Sequence, residues 1–189
     1  MKPIKLGVLL LAGLICMNGA QAAVTDTIEA STGYFVPTDS QKYDAPYYRW
    51  NGEDWGWTHN AVAGSITTAN LNISAFDVDA SSGEVDKIYA LDSGSWVYLG
   101  NLEGGNDVWA FSNFALGASF FDDINAGLQV KMEIDSTNSG WAVTLAKSSL
   151  SVDGGVLPPP APVPEPETYA LMLIGLAATG MMARRRKQK

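Results

Sequence analysis

The chain has 189 residues and a formal net charge of −8, with one histidine, His59, and one cysteine, Cys16. Between Val24 and Val163 the imbalance sharpens to 18 acids against 5 bases, a net of −13. Five scattered cations make no phosphate-binding face, which excludes nucleic acid as a partner. Zinc sites built from several His and Cys are excluded by count, and Ser-His-Asp catalysis would have to use His59 itself.

The first residues read as an export signal. Two lysines in Met1–Lys5 precede an apolar run from Leu6 to Ile15 that is too short to cross a bilayer. Ala20-Gln21-Ala22 then supplies the small-x-small pattern that signal peptidase accepts, so cleavage is expected after Ala22. Ile15, rather than a small residue, precedes Cys16. Cys16 is therefore expected to leave with the signal and not to carry a lipid.

The middle, residues 23–156, is the size of one domain and reads as all-β. Pro37 and Pro46 confine its first stretch to a loop or an edge strand. Tyr43 to His59 then places six aromatics and the histidine in 17 residues. Tyr48, Trp50, Trp55 and Trp57 beside Asp, Asn and Arg can form a sugar-binding surface, flat rings meeting pyranose C–H groups. The alternative is that they plug the core, as Trp and Tyr do in sandwiches. His59 reads as a loop or capping residue.

Leu71, Ile73 and Ala75 alternate with Asn70, Asn72 and Ser74, and Leu128, Val130, Met132 and Ile134 alternate with Gln129, Lys131, Glu133 and Asp135. That period of two is the mark of a half-buried strand. Val85, Lys87, Tyr89 and Leu91 share one face of a third run, read here as its inward face with Lys87 near an edge. Further runs are Trp96–Leu99, Trp109–Phe114, Trp141–Leu145 and Leu150–Val152, separated by Gly, Ser, Asn and Asp clusters. No stretch holds a helical period for three turns. Seven or eight short strands at regular spacing predict a single jelly-roll-like β-sandwich.

Asp77, Asp79, Glu84 and Asp86 put four carboxylates in ten residues. They repel one another unless spread into water or gathered round a cation, and calcium takes such oxygens from a pliable loop. An EF-hand is excluded by register: counted from Asp77, position six is Ser82 and position twelve is Ile88. The alternative is a solubilising acidic turn. The adjacent pairs Glu53-Asp54 and Asp122-Asp123 do not converge if they lie on strands, so no carboxylate catalysis is expected.

Residues 157–163 form a proline spacer. Tyr169 to Ala183 is uncharged and nearly all apolar, but fifteen helical residues reach only about 22 Å against roughly 30 Å of hydrocarbon. The basic cluster Arg184, Arg185, Arg186 and Lys187 should stay cytoplasmic, which places the body outside.

Val163-Pro164-Glu165-Pro166, the short apolar segment and the arginine cluster together resemble the PEP-CTERM sorting signal of Gram-negative exported proteins, over residues 164–189. The resemblance implies recognition by an inner-membrane exosortase, cleavage near Pro164-Glu165-Pro166 and delivery to the surface or extracellular matrix. Since such bacteria commonly make exopolysaccharide, it also implies an association with matrix or biofilm.

Separately, Phe76-Asp77-Val78-Asp79, Ser82 to Ile88, Leu99 to Leu102, Trp109, Val130 to Asp135, Gly140-Trp141 and Leu150 to Gly154 fall in an order similar to a galactose-binding-like jelly-roll module, over roughly residues 57–154. That resemblance implies that Asp77, Asp79, Glu84 and Asp86 face Asp135 at one end of the sandwich, around a structural calcium. The expected protein is a non-enzymatic, exported surface or matrix protein; the alternative is a calcium-dependent carbohydrate-binding module.

Overall fold

The structure, a computed structural model, describes residues 23–30 and 33–154. Nine strands and one short helix follow one another: β1 Val24–Ile28, β2 Arg49–Trp50, β3 Trp55–Thr58, β4 Ala69–Phe76, β5 Lys87–Asp92, β6 Ser95–Asn101, β7 Trp109–Leu116, α1 Phe121–Ala126, β8 Gln129–Glu133 and β9 Ala142–Val152. They form two antiparallel sheets. In the first the order is β1-β9-β4-β7, with β2 also on β9; in the second it is β3-β8-β5-β6. First, last, fourth and seventh strands facing third, eighth, fifth and sixth is jelly-roll order, so the expected sandwich is the observed one.

Period-two alternation places the core between the sheets. Leu71, Ile73 and Ala75 of β4 and Leu145, Leu150 and Val152 of β9 meet Ile88 and Ala90 of β5 and Val130 and Met132 of β8. Burial of these side chains, at about 25 cal/mol per Å² of apolar surface, is the main force holding the sheets together.

The first sheet is covered on its outer face as well. The segment from Gly33 to Tyr48 lies across it: the Val36 N–H donates to the Leu145 carbonyl at 2.9 Å. The Thr144 hydroxyl donates to the Lys42 carbonyl at 2.6 Å. The Tyr43 ring packs edge-on against Phe76 at 5.3 Å. Prolines at 37 and 46 keep this cover out of the ladder, as expected, and it contains only a 3-10 turn at Asp39–Gln41. With both faces covered, every residue of β9 is buried.

Three expectations are corrected. On β5 the inward residues are Ile88 and Ala90, while Lys87, Tyr89 and Leu91 face outward. Burying Ile88 and Ala90 avoids desolvating the Lys87 ammonium and the Tyr89 hydroxyl, which decides the register. All of the run Trp141–Leu145 but Trp141 itself joins the run Leu150–Val152 in one eleven-residue strand, β9. It absorbs Ala146 as an irregularity in the β4 register, between Lys147 opposite Ser74 and Leu145 opposite Ala75. Asp122-Asp123 lies in the first turn of α1, not on a strand. The signal, the spacer and the sorting segment lie outside the described residues.

Candidate functional sites

Two places on the sandwich gather polar chemistry. The first is the end where the loop after β4 meets the loop after β8. The 3-10 turn Ala80–Ser82 closes on Gly83, whose φ of 103° no L side chain adopts easily. This turn brings Glu84 back so that its carboxylate accepts from the Asp79 backbone N–H. Asp86 follows, its Oδ1 accepting from the Asp135 N–H at 3.0 Å. Asp135 in turn accepts from the Val85 N–H at 2.9 Å and the Thr137 N–H at 2.8 Å.

Glu84 is 4% and Asp86 0% exposed. Burial first, and then the neighbouring Asp86 charge, pushes the Glu84 carboxyl well above the carboxylate range. Burial likewise raises Asp86, with Asp135 and Asp54 adding repulsion. Asp135 is held below its ordinary value: burial works against this, and the hydrogen bonds from Thr137 and Val85 outweigh it. Both carboxyls therefore hold their protons to higher pH than a free carboxyl does.

Of the five residues expected to meet here, Glu84, Asp86 and Asp135 converge through hydrogen bonds to the backbone around them, and Asp79 contributes its backbone N–H. Asp77 does not join them. It sits at φ +64°, with one oxygen taken by the Tyr48 hydroxyl at 2.7 Å and the other by the Asp107 N–H at 2.8 Å. Asp54, which sequence reasoning left out, joins the edge of the cluster by accepting from the Ile134 N–H at 2.9 Å. Among the described residues no three His, Cys, Asp or Glu side chains stand together as ready metal ligands. Three buried carboxylate oxygens nonetheless lack any partner: Asp79 Oδ1, Glu84 Oε1 and Asp86 Oδ2.

The second place is the uncovered face of the second sheet. Here strand pairing lines up Gly56, Lys131, Tyr89 and Tyr98 in one row across β3, β8, β5 and β6. Gly56 admits no side chain, because a Cβ there would lie 2.8 Å from the Val130 carbonyl oxygen. The Lys131 ammonium lies 4.6 Å from the Tyr89 ring centre and 5.3 Å from that of Trp96, and it binds Glu133 at 2.7 Å. Tyr89 and Tyr98 meet at 5.6 Å. Beside the row runs a groove of about 410 Å³ lined by Asp54, Thr58, Trp96, Gln129, Lys131 and Glu133, among others. Trp96 is 43% and Tyr98 51% exposed.

The aromatics expected to contact sugar divide. Trp55 and Trp57 are corrected to core residues: both face inward, and Trp57 meets Phe35 edge-on at 5.3 Å. Alternation explains this, since Gly56 and Thr58 take the outward positions of β3. Trp50 remains exposed and touches Tyr48 at 5.3 Å, on β2 at the edge of the first sheet. Trp96, Tyr98 and Tyr89 were missed. The run Trp96-Val97-Tyr98 lacks polar alternation, which is the trace an edge strand with both faces apolar leaves in a sequence.

His59 is more than a cap. Its Nδ1 lies 2.8 Å from Asp26 Oδ2 and its Nε2 2.9 Å from Ser148 Oγ. The residue types and order of contacts are those of a hydrolytic triad. Ser148, however, is 0% exposed in the middle of β9, between β1 and β4. No substrate reaches it. Burial lowers the His59 pKa despite the partly compensating Asp26 hydrogen bond, so the relay is a polar tie between β1, β3's end and β9.

Residues 162–187 match the family described as the PEP-CTERM protein-sorting motif. The chain carries a PEP-CTERM sorting signal. The signal implies an exported protein, processed by an exosortase and anchored transiently in the membrane before release at the surface. Its residues Val163, Pro164, Glu165, Pro166, Arg184, Arg185 and Arg186, like Ala20 and Ala22 of the export signal, lie outside the described residues. Among the described residues no helix is long and apolar enough to cross a membrane.

No curated protein matches the chain. Similar solved structures include the xylan-binding module CBM15, at 14% identity and a TM-score of 0.41 over 72% of this chain and 100% of that one. Another is the CBM36-1 domain of a multidomain xylanase from the hindgut metagenome of Trinervitermes trinervoides, at 11% and 0.40 over 72% and 100%. The Tobacco streak virus coat protein matches at 15% and 0.37 over 74% and 91%. A sugar-binding module and a viral coat protein thus stand side by side, and the likeness does not choose a function.

Proposed function

We propose that this PEP-CTERM protein is a non-enzymatic component of the cell surface or extracellular matrix that associates with exopolysaccharide. The observation that carries the reading is the pair of exposed aromatic rings on the second sheet, Trp96 and Tyr98, placed among carboxylates and amides on a strongly acidic body. Rings with wet, polar rims suit sugars, which offer both C–H faces and hydroxyl groups. The sealed Ser148 supports a binding role over a hydrolytic one.

The experiment is retention of the exported protein on exopolysaccharide purified from the producing cells. Binding that survives high salt supports the reading. Passage through the column unretarded, at low and high salt alike, overturns it. Deleting residues 164–189 should release a soluble form, while cells lacking the exosortase should accumulate an uncut, membrane-held one.

A second reading has its own observation. The three unpartnered buried oxygens of Asp79, Glu84 and Asp86 support a structural calcium at the acidic end, which would supply them with a positive partner and no chemistry. Calcium should raise the melting temperature and release protons on binding, because Glu84 must ionise first. A melting curve unmoved by both calcium and chelator removes the ion from the account.

A further inference from the structure

We propose that the uncovered face of the second sheet is the glycan site, and that its occupant is a neutral, extended polysaccharide lying along the row Gly56–Lys131–Tyr89–Tyr98 with a sugar ring on Trp96. This rests on the reading of the protein as an exopolysaccharide binder, and it says which face and which class of sugar polymer.

Three features of the face select that occupant. The first is shape. Four strands at a spacing of about 4.8 Å make a row about 14 Å long, roughly a trisaccharide. Gly56 leaves the β3 end without a side chain, so the row continues into the groove without a step. The second is chemistry. Trp96 and Tyr98 present ring faces to solvent, and Thr58, Gln129, Asp54 and Glu133 stand along the groove as hydrogen-bond partners for hydroxyl groups. The Tyr98 hydroxyl is already oriented, donating to Asn101 Oδ1 at 2.7 Å.

The third is charge. Lys131 is the one cation among the groove's described lining residues, and Glu133 already holds it at 2.7 Å. Lys131 and Lys87, the latter opposite Glu133 in register, are matched by Glu133 and Asp54, so the face carries no surplus of positive charge. A uronate-rich polymer would meet Asp54 and Glu133 on a body of net −13, and would be repelled. That same charge opposes a second copy of the chain as the occupant, although β6 itself, Ser95–Asn101, carries no charge.

The test is affinity electrophoresis of the exported protein through gels containing mixed-linkage β-glucan, xylan or polygalacturonate. Retardation by a neutral polymer and none by polygalacturonate is expected. Trp96→Ala should weaken that retardation at least about tenfold, and Tyr98→Ala severalfold. Both residues are exposed, so both variants should keep the wild-type melting temperature. Trp50→Ala, on the other aromatic patch, should bind like wild type.

Loss in Trp50→Ala with wild-type behaviour in Trp96→Ala would overturn this site while leaving the exopolysaccharide reading standing. Preferential retardation by polygalacturonate would overturn the neutral occupant. A wild-type protein retained by none of these polymers nor by the producing cells' own exopolysaccharide would take both readings down together. Should sedimentation show a wild-type dimer that Trp96→Ala dissociates, without any glycan effect, the face is a self-association surface and the proposal fails.

Discussion

The two sheets of the sandwich have the same number of principal strands and opposite outer faces. On the first, the Gly33–Tyr48 segment lies over β9 and β4, and Thr144, which would otherwise meet water, is buried and bonded to Lys42 of that segment. On the second, the outward row of Lys131, Tyr89, Tyr98 and Trp96 has no such cover among the described residues. The cover therefore separates a face used for stability from a face free to meet a ligand. A jelly roll needs only one buried face per sheet, so the additional layer on the first sheet marks where the molecule invests its rigidity.

The largest expected effect attacks the cover at its root. Phe35→Ala, which removes a buried ring from against Trp57, should cost about 3–5 kcal/mol in urea unfolding. Trp96→Ala on the open face should stay within about 0.5 kcal/mol. Comparable losses in the two variants would erase the distinction between the faces.

The next effects are pH slopes of opposite sign from opposite ends. Glu84 and Asp86 have raised pKa values, so the folded protein keeps protons that the unfolded chain has released. Without calcium, stability should therefore fall as pH rises from about 4 through neutrality. Glu84→Gln should flatten that slope, read as unfolding midpoints at pH 5 and pH 8. His59 has a lowered pKa, so the unfolded chain binds the proton first. Its contribution is fully present above about pH 6.5 and is lost as pH falls below that value. His59→Gln should remove this acid-side slope and leave the alkaline one.

Smallest is the tie that anchors the cover's far end. Tyr48→Phe removes the hydrogen bond to Asp77 and should cost about 0.5–1.5 kcal/mol. Burial and the Asp77 carboxylate both push the Tyr48 phenol up, so its loss should be the same at pH 6 and pH 9. A cost that changed between those pH values would mean that Tyr48 ionises and that the contact is weaker than its geometry.

Much of the strand layout was legible because alternation is a local property. Leu128 to Ile134 and Leu71 to Ala75 reveal their inner faces without reference to any partner. The β5 face was misread because Val85, Tyr89 and Leu91 outweigh Ile88 and Ala90 when counted as apolar residues. What chose the register was the cost of burying Lys87 and the Tyr89 hydroxyl, and that cost exists only once a second sheet closes over one side.

The acidic cluster shows the same division. Four carboxylates close in sequence announced an unusual end, yet Asp77 left the group for Tyr48 and Asp107, and Asp54 came in from far upstream. The aromatic stretch divided likewise, Trp55 and Trp57 turning inward and Trp50 outward. Density of a residue type along the chain says that a feature is present; it does not say which side of a sheet each member takes.

By itself the sequence determined the sorting address and the all-β character, since each is carried by contiguous residues whose meaning needs no neighbour; it counted seven or eight strands where the described residues hold nine. Only the tertiary structure decided the rest. It paired Asp26 with His59 and Ser148, left three carboxylate oxygens buried without partners, and aligned Gly56, Lys131, Tyr89 and Tyr98 into one row. Those relations join residues tens of positions apart, and the register that makes them is set by how two sheets share a single core.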